Sequence, residues 1–142
     1  MRPSGAFLST VLDLAKWDAA LSSEAVLTVS SREQIATPVT LNTGKTHPYG
    51  LGWSTETWQG HKRIYHSGGI SGFSADFERF VDDKLTVIVL TNANSRNIQE
   101  IALKVAGFYI PALTPPAEKS LSKSKSRSIT FAPPKASLFL LK

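Results

Sequence analysis

A chain of 142 residues is enough for one modest domain, and without cysteine it carries no disulfide framework and no thiolate chemistry. Its net charge of +5 sits entirely at the end: residues 1–113 hold ten Lys/Arg against ten Asp/Glu, and residues 114–142 hold six Lys/Arg against Glu118 alone. The main body is therefore not a basic nucleic-acid surface, and with no run of about 18 apolar residues no transmembrane helix is expected. Met1 to Ala6 offers no apolar signal region of useful length, so a cytoplasmic setting is the default expectation.

In chain order, Ser9 to Trp17 reads as an amphipathic helix. Thr10 serves as its N-cap, Asp13 lies in the first turn, and Val11, Leu14, Ala15 and Leu21 form the apolar face. Residues 22–29 are a connector. Ser30 to Ala36 predicts a short helix that ends before Pro38. Residues 38–48 are a loop. Its Gly44-Lys45-Thr46 is not a phosphate loop, because Val39 stands where the first glycine belongs and no strand-to-helix turn follows.

Tyr49 to Trp58 and Lys62 to His66 alternate as strands around a Gln59-Gly60-His61 turn. Phe73 to Val81 is a further strand, with Phe73, Ala75, Phe77 and Arg79 on one face and Ser74, Asp76, Glu78 and Phe80 on the other. After an Asp82-Asp83-Lys84 turn, the run Leu85 to Leu90 is almost wholly apolar and should be a buried strand. Asn94-Ser95 caps a helix over 96–109, with Ile98, Ile101, Ala102, Val105 and Phe108/Tyr109 as its stripe, and Pro111 ends it. The fold class is therefore α+β: an antiparallel meander flanked by N- and C-terminal helices packed on one sheet face.

Residues 1–113 form the domain and residues 114–142 a basic Pro/Ser/Lys-rich linker and tail, with 117–128 expected to be disordered. The apolar end, Ser137 to Leu141, reads as a pairing strand, the start of a further domain, or read-through sequence.

The chain is organised around Tyr65-His66-Ser67-Gly68-Gly69-Ile70-Ser71-Gly72-Phe73. Three glycines in five residues weaken a strand, and mark a bulge or a place where something approaches the backbone. This stretch resembles the third motif of the serine β-lactamase and penicillin-binding-protein superfamily. That motif is Lys-Thr-Gly in β-lactamases, and often His-x-Gly in the class C-like esterases and D-aminopeptidases. Tyr49-Gly50-Leu51-Gly52-Trp53 upstream and Leu85 to Asn92 downstream are similar too, and the resemblance covers about residues 4–110.

The resemblance implies a partial β-lactamase/transpeptidase-like fold and acyl transfer through a serine nucleophile. It implies catalytic parts for His66 and for the backbone N–H of Gly69, an oxyanion-hole donor. It implies substrate binding by Ser67 and Gly68. A small-molecule or peptide substrate is implied, with no cofactor. His66 in place of lysine favours an esterase or peptidase over a strong β-lactamase. A plainer account of His66 is a strand histidine satisfied by hydrogen bonds, and of the glycines a bulge.

The superfamily also needs Ser-x-x-Lys and a Tyr-x-Asn or Ser-x-Asn. Ser120-Leu121-Ser122-Lys123 and Ser122-Lys123-Ser124-Lys125 match the first, but in a tail with no apolar face to hold a helix. Ser95-Arg96-Asn97 matches the second but follows the third motif, so a helix cap is the better reading. His47, His61 and His66 lack zinc-ligand spacing, and no metal is expected. The chain is thus expected to be the C-terminal portion of a serine hydrolase, inactive alone. The alternative is a non-catalytic module that associates with another chain, such as a missing N-terminal half.

Overall fold

The computed structural model describes residues 5–94, 97–113 and 136–141, the last as backbone. Helices α1 (Val11–Leu21) and α2 (Val29–Ala36) come first. Each starts from a threonine whose hydroxyl accepts a backbone N–H three residues on: Thr10 from Asp13 and Thr28 from Ser31. Residues 38–48 are more ordered than a loop. Two-residue strands β1 (Val39–Thr40) and β2 (Thr46–His47) pair antiparallel across them.

The main sheet has five antiparallel strands in the order β3-β4-β5-β6-β7. They are β3 (Ser54–Trp58), β4 (His61–Ile70), β5 (Phe73–Phe80), β6 (Leu85–Thr91) and β7 (Ala136–Leu141). The first four follow one another through tight turns. At Gln59 (φ 49°) and Gly60 (φ 88°) both central residues are left-handed, as a type I′ hairpin requires. Helix α3 (Ile98–Gly107) and a 3₁₀ turn (Pro111–Leu113) follow β6. The mixed α+β layers agree with the expected fold class.

The two strand faces expected for β5 are the faces observed. Ser74, Asp76, Glu78 and Phe80 are buried, while Phe73, Ala75, Phe77 and Arg79 are exposed or half-buried. The main core lies on the first of these faces. Phe80, Leu85, Val87 and Val89 pack there against Ile98, Ala102 and Ala106 of α3, with Ile110 and Leu113 beyond.

The flanking helices do not share a face. Asp18 of α1 accepts hydrogen bonds from Arg79 Nε (2.6 Å) and Thr86 Oγ1 (3.0 Å). Arg79 and Thr86 are cross-strand partners one residue out of step with Phe80 and Leu85, so α1 covers the face opposite α3. The reason is that β6 is apolar on both faces, and each face needs a cover. The stripe of α3 also shifts. Ile98, Ala102 and Ala106 are buried, Val105 is partly buried, and Ile101, Phe108 and Tyr109 are exposed. Small alanines bring the helix close to the sheet and leave the large side chains outside.

Candidate active site

The expected strand from Tyr49 to Trp58 begins only at Ser54. Residues 49–53 turn back instead, through Gly50 N–H to Trp53 O (2.7 Å) and Leu51 N–H to Ile35 O (3.1 Å). Gly50 is what permits this. A Cβ there would stand 2.3 Å from the Ile35 carbonyl oxygen and 2.9 Å from that of Thr37, both backbone atoms at the end of α2. Gly50→Ala is expected to lower stability by about 2 kcal/mol, as overpacking against backbone does, and thermal denaturation measures it.

The consequence is an open sheet edge. β3 pairs with β4 only from His61 to Tyr65, whereas β5 pairs with it from Arg63 to Ile70. From His66 to Ile70 the other side of β4 has no strand partner among the described residues. On that side the backbone groups of the glycine-rich stretch have no ladder partner among the described residues. A Cβ added at Gly68 would meet nothing within 4 Å. Just beyond, the Ser71-Gly72 turn is held by Asn94, whose Oδ1 accepts the Gly72 N–H at 2.9 Å.

The four candidate residues divide between the two faces of this strand. His66 and Gly68, opposite Phe77 and Ala75, lie on the α1 side; Ser67 and Gly69, opposite Asp76 and Ser74, lie on the α3 side. His66 is exposed, and its Nε2 is 3.1 Å from the Tyr49 hydroxyl. The sequence offers Tyr49 as a strand residue and as the start of the Tyr49-to-Trp53 stretch that shares the resemblance, with no partner named for it; its place before the Gly50 turn brings it here. Trp53 meets the ring of Phe77, the cross-strand partner of His66, edge-on at 5.3 Å.

Behind Ser67 lies a buried polar cluster that strand alternation alone did not reveal. Arg63 forms a two-pronged pair with Glu78 and a further bond to Glu56, and its guanidinium lies 3.9 Å from the centre of the Tyr65 ring. Burial works against the Arg63 charge, but hydrogen bonding to Glu78 and the charges of Glu78 and Glu56 outweigh it and raise the pKa. Asp76 is 1% exposed, and among the described residues neither of its carboxylate oxygens has a partner within full hydrogen-bond geometry. Burial, then the negative charge of Glu78, push its carboxyl up to about 8.

The remaining candidates do not join the site. The tail Ser-x-x-Lys matches lie outside the described residues, as do Ser95 and Arg96. Asn97 is the N-cap of α3 but makes no side-chain capping bond. His61 binds Asp83 (Nδ1 to Oδ2, 2.8 Å), tying two turns together. No group of His, Asp or Glu suited to a metal occurs among the described residues, and none of their helices is long and apolar enough to cross a membrane.

The sequence profile of the Beta-lactamase family matches residues 1–106. Penicillin-binding protein 4* of Bacillus subtilis (strain 168) is 35% identical over 107 residues, which are 75% of this chain and 24% of that protein. Unguisins hydrolase ungD' of Aspergillus campestris (strain IBT 28561) is 31% identical over 99 residues, 65% of this chain and 18% of that protein. The chain thus spans a quarter or less of the length of these relatives. No solved structure matches it significantly.

Proposed function

The chain belongs to the beta-lactamase family, and from that premise we propose that it supplies the substrate-facing sheet edge of a serine hydrolase that cleaves amides or esters through an acyl-enzyme. The observation that carries this reading is the backbone of β4 from His66 to Ile70, which lacks a strand partner on one side among the described residues, with nothing within 4 Å of a Cβ built at Gly68. A carbonyl compound laid along that edge meets backbone donors on the strand and side chains from both of its faces.

In this reading a serine Oγ bonds to the substrate carbonyl carbon, and the carbonyl oxygen takes up negative charge. The Gly69 N–H is one of two donors to that oxygen, a contribution of roughly 2.7–4 kcal/mol to the barrier. The C–N or C–O bond then breaks as the leaving group takes up the proton that the serine gave to its base, and water releases the acyl group from the serine. Gly68 lets the substrate lie against the strand. Ser67 binds a substrate carbonyl or carboxylate. His66, held by Tyr49, tunes the electrostatics of the proton-transfer group.

Residues 1–113 contain no Ser-x-x-Lys. The nucleophile and its lysine then belong to the part of such a hydrolase that this chain does not match, and the chain alone is inactive. A second reading, a non-catalytic module that pairs with another chain, is favoured by one feature. An open cavity of about 980 Å³ lies between α1, α2 and the sheet, with Leu21, Val29, Arg32, Trp53 and Ile64 in its lining.

Intact-mass spectrometry after treatment with a fluorophosphonate, and separately with a penicillin, tests both readings. The isolated chain is expected to gain no adduct, and an upstream polypeptide co-expressed with it to gain one on serine. A stoichiometric adduct on the isolated chain would overturn the assignment of the nucleophile elsewhere. No adduct in any combination would favour the non-catalytic module.

A further inference from the structure

The strand that closes the far edge of the sheet does not come from the family-matched part of the chain. The match ends at residue 106, and β7 begins at Ala136. Between α3's 3₁₀ turn and β7 lie residues 114–135, a stretch of 22 residues. Fully extended, such a stretch reaches about 70 Å, well beyond the width of a small domain.

What β7 covers needs covering. β6 is a largely apolar strand, with Leu85, Val87, Ile88 and Val89 all buried. Left at an edge, it would offer a row of unpaired N–H and C=O groups on an apolar strand, which is a template for pairing with another chain. β7 takes up that row in an unbroken antiparallel register from Thr86↔Leu141 to Thr91↔Ala136. Helix α1 lies against β6 and β7 together, so the seat has a wall as well as an edge.

We propose that the β6 edge is a strand-acceptor site and that Ala136–Leu141 is its tethered, exchangeable occupant, so that two copies of the chain trade tails. Each copy carries one donor segment and one acceptor edge, which is the condition for a closed, two-fold exchange. The tether keeps the exchange rare: it holds a copy's own segment near the edge at an effective concentration in the millimolar range. Cutting the tether removes that advantage without altering the seat. The strand is added through main-chain bonds, as in other β-augmentation sites. The inference does not rest on the hydrolase reading.

The test uses the full 142-residue chain with a specific protease site placed within residues 114–135. After cutting, native mass spectrometry is expected to find the tail fragment still bound one to one. Mixing with an isotope-labelled cut copy is expected to scramble light and heavy tails between bodies. Competitor peptides spanning 134–142 then test the pairing itself, with Leu138→Pro in one and Phe139→Pro in the other. Neighbouring residues point their N–H groups to opposite sides of a strand, so one proline removes a ladder bond to β6 and the other does not. The two peptides are expected to differ in competing power by about tenfold, the worth of one to two hydrogen bonds. A tail that dissociates on cutting, a bound tail that does not scramble, or two proline peptides of equal strength would each overturn the proposal.

Discussion

Arg63→Met is expected to cost about 3–5 kcal/mol of folding stability at neutral pH, the usual loss when one partner of a buried ion pair is removed. Methionine retains much of the apolar stem, so the loss reports the charge rather than the packing. Arg63 is 4% exposed and Glu78 is fully buried, so without the guanidinium the Glu78 carboxylate has no water to turn to. Its near neighbour on β5, Asp76, is equally buried and offers it no cation. Glu56 is partly exposed and can recover solvent. Urea denaturation measures the effect. The double variant Arg63→Met/Glu78→Leu is expected to recover most of it, because an apolar pair at a buried site is often no worse than an ion pair. A single variant within about 1 kcal/mol of the parent would mean that the cluster is effectively solvated. Arg63→Lys is expected to fall between the parent and Arg63→Met, since an ammonium keeps the charge but cannot bond Glu78 through two parallel N–H groups.

That cluster shows where sequence reasoning succeeds and where it stops. Local patterns were legible. The Thr10 cap, the Gln59-Gly60 turn, the buried strand from Leu85 and the two faces of β5 all follow from spacing within a few residues. The glycine-rich stretch reads as a bulge or as a place where something approaches the backbone; its register on β5 runs through without a bulge, and its other side has no strand partner among the described residues. Non-local consequences were not legible. Arg63 and Glu78 are 15 positions apart, and only the register of β4 on β5 makes them neighbours. The face taken by α1 depends on Asp18 finding Arg79 and Thr86, more than 60 residues on. Tyr49 reaches His66 because Gly50 turns the chain back, and the reason for the turn is the end of α2, which no local window contains. Ser67 and His66, adjacent in the motif, end on opposite faces because adjacent strand residues always do.

Asp76→Asn is expected to remove a pH dependence that the parent protein carries. The sign follows from the direction of the shift. An aspartate in the unfolded chain has a pKa of about 3.9, whereas burial and then Glu78 hold the Asp76 carboxyl at about 8 in the folded protein. Between those values the folded state keeps a proton that the unfolded state has lost. The stabilisation is therefore complete below about pH 4 and drains away as pH rises through about 8, at roughly 1.4 kcal/mol per pH unit. Asparagine keeps the shape and has no proton to lose. Relative to the parent, the variant is expected to gain about 3 kcal/mol between pH 5.5 and pH 8, read as the difference between two urea curves at each pH so that other titrating groups cancel. A difference that stays constant across that range would mean that Asp76 is ionised throughout. The two variants on this cluster are linked. Arg63 pairs with Glu78, and the negative charge of Glu78 is the second cause, after burial, that raises the Asp76 carboxyl. Asp76 stands directly across from Ser67, so the proton it keeps lies under the strand that carries the candidate site.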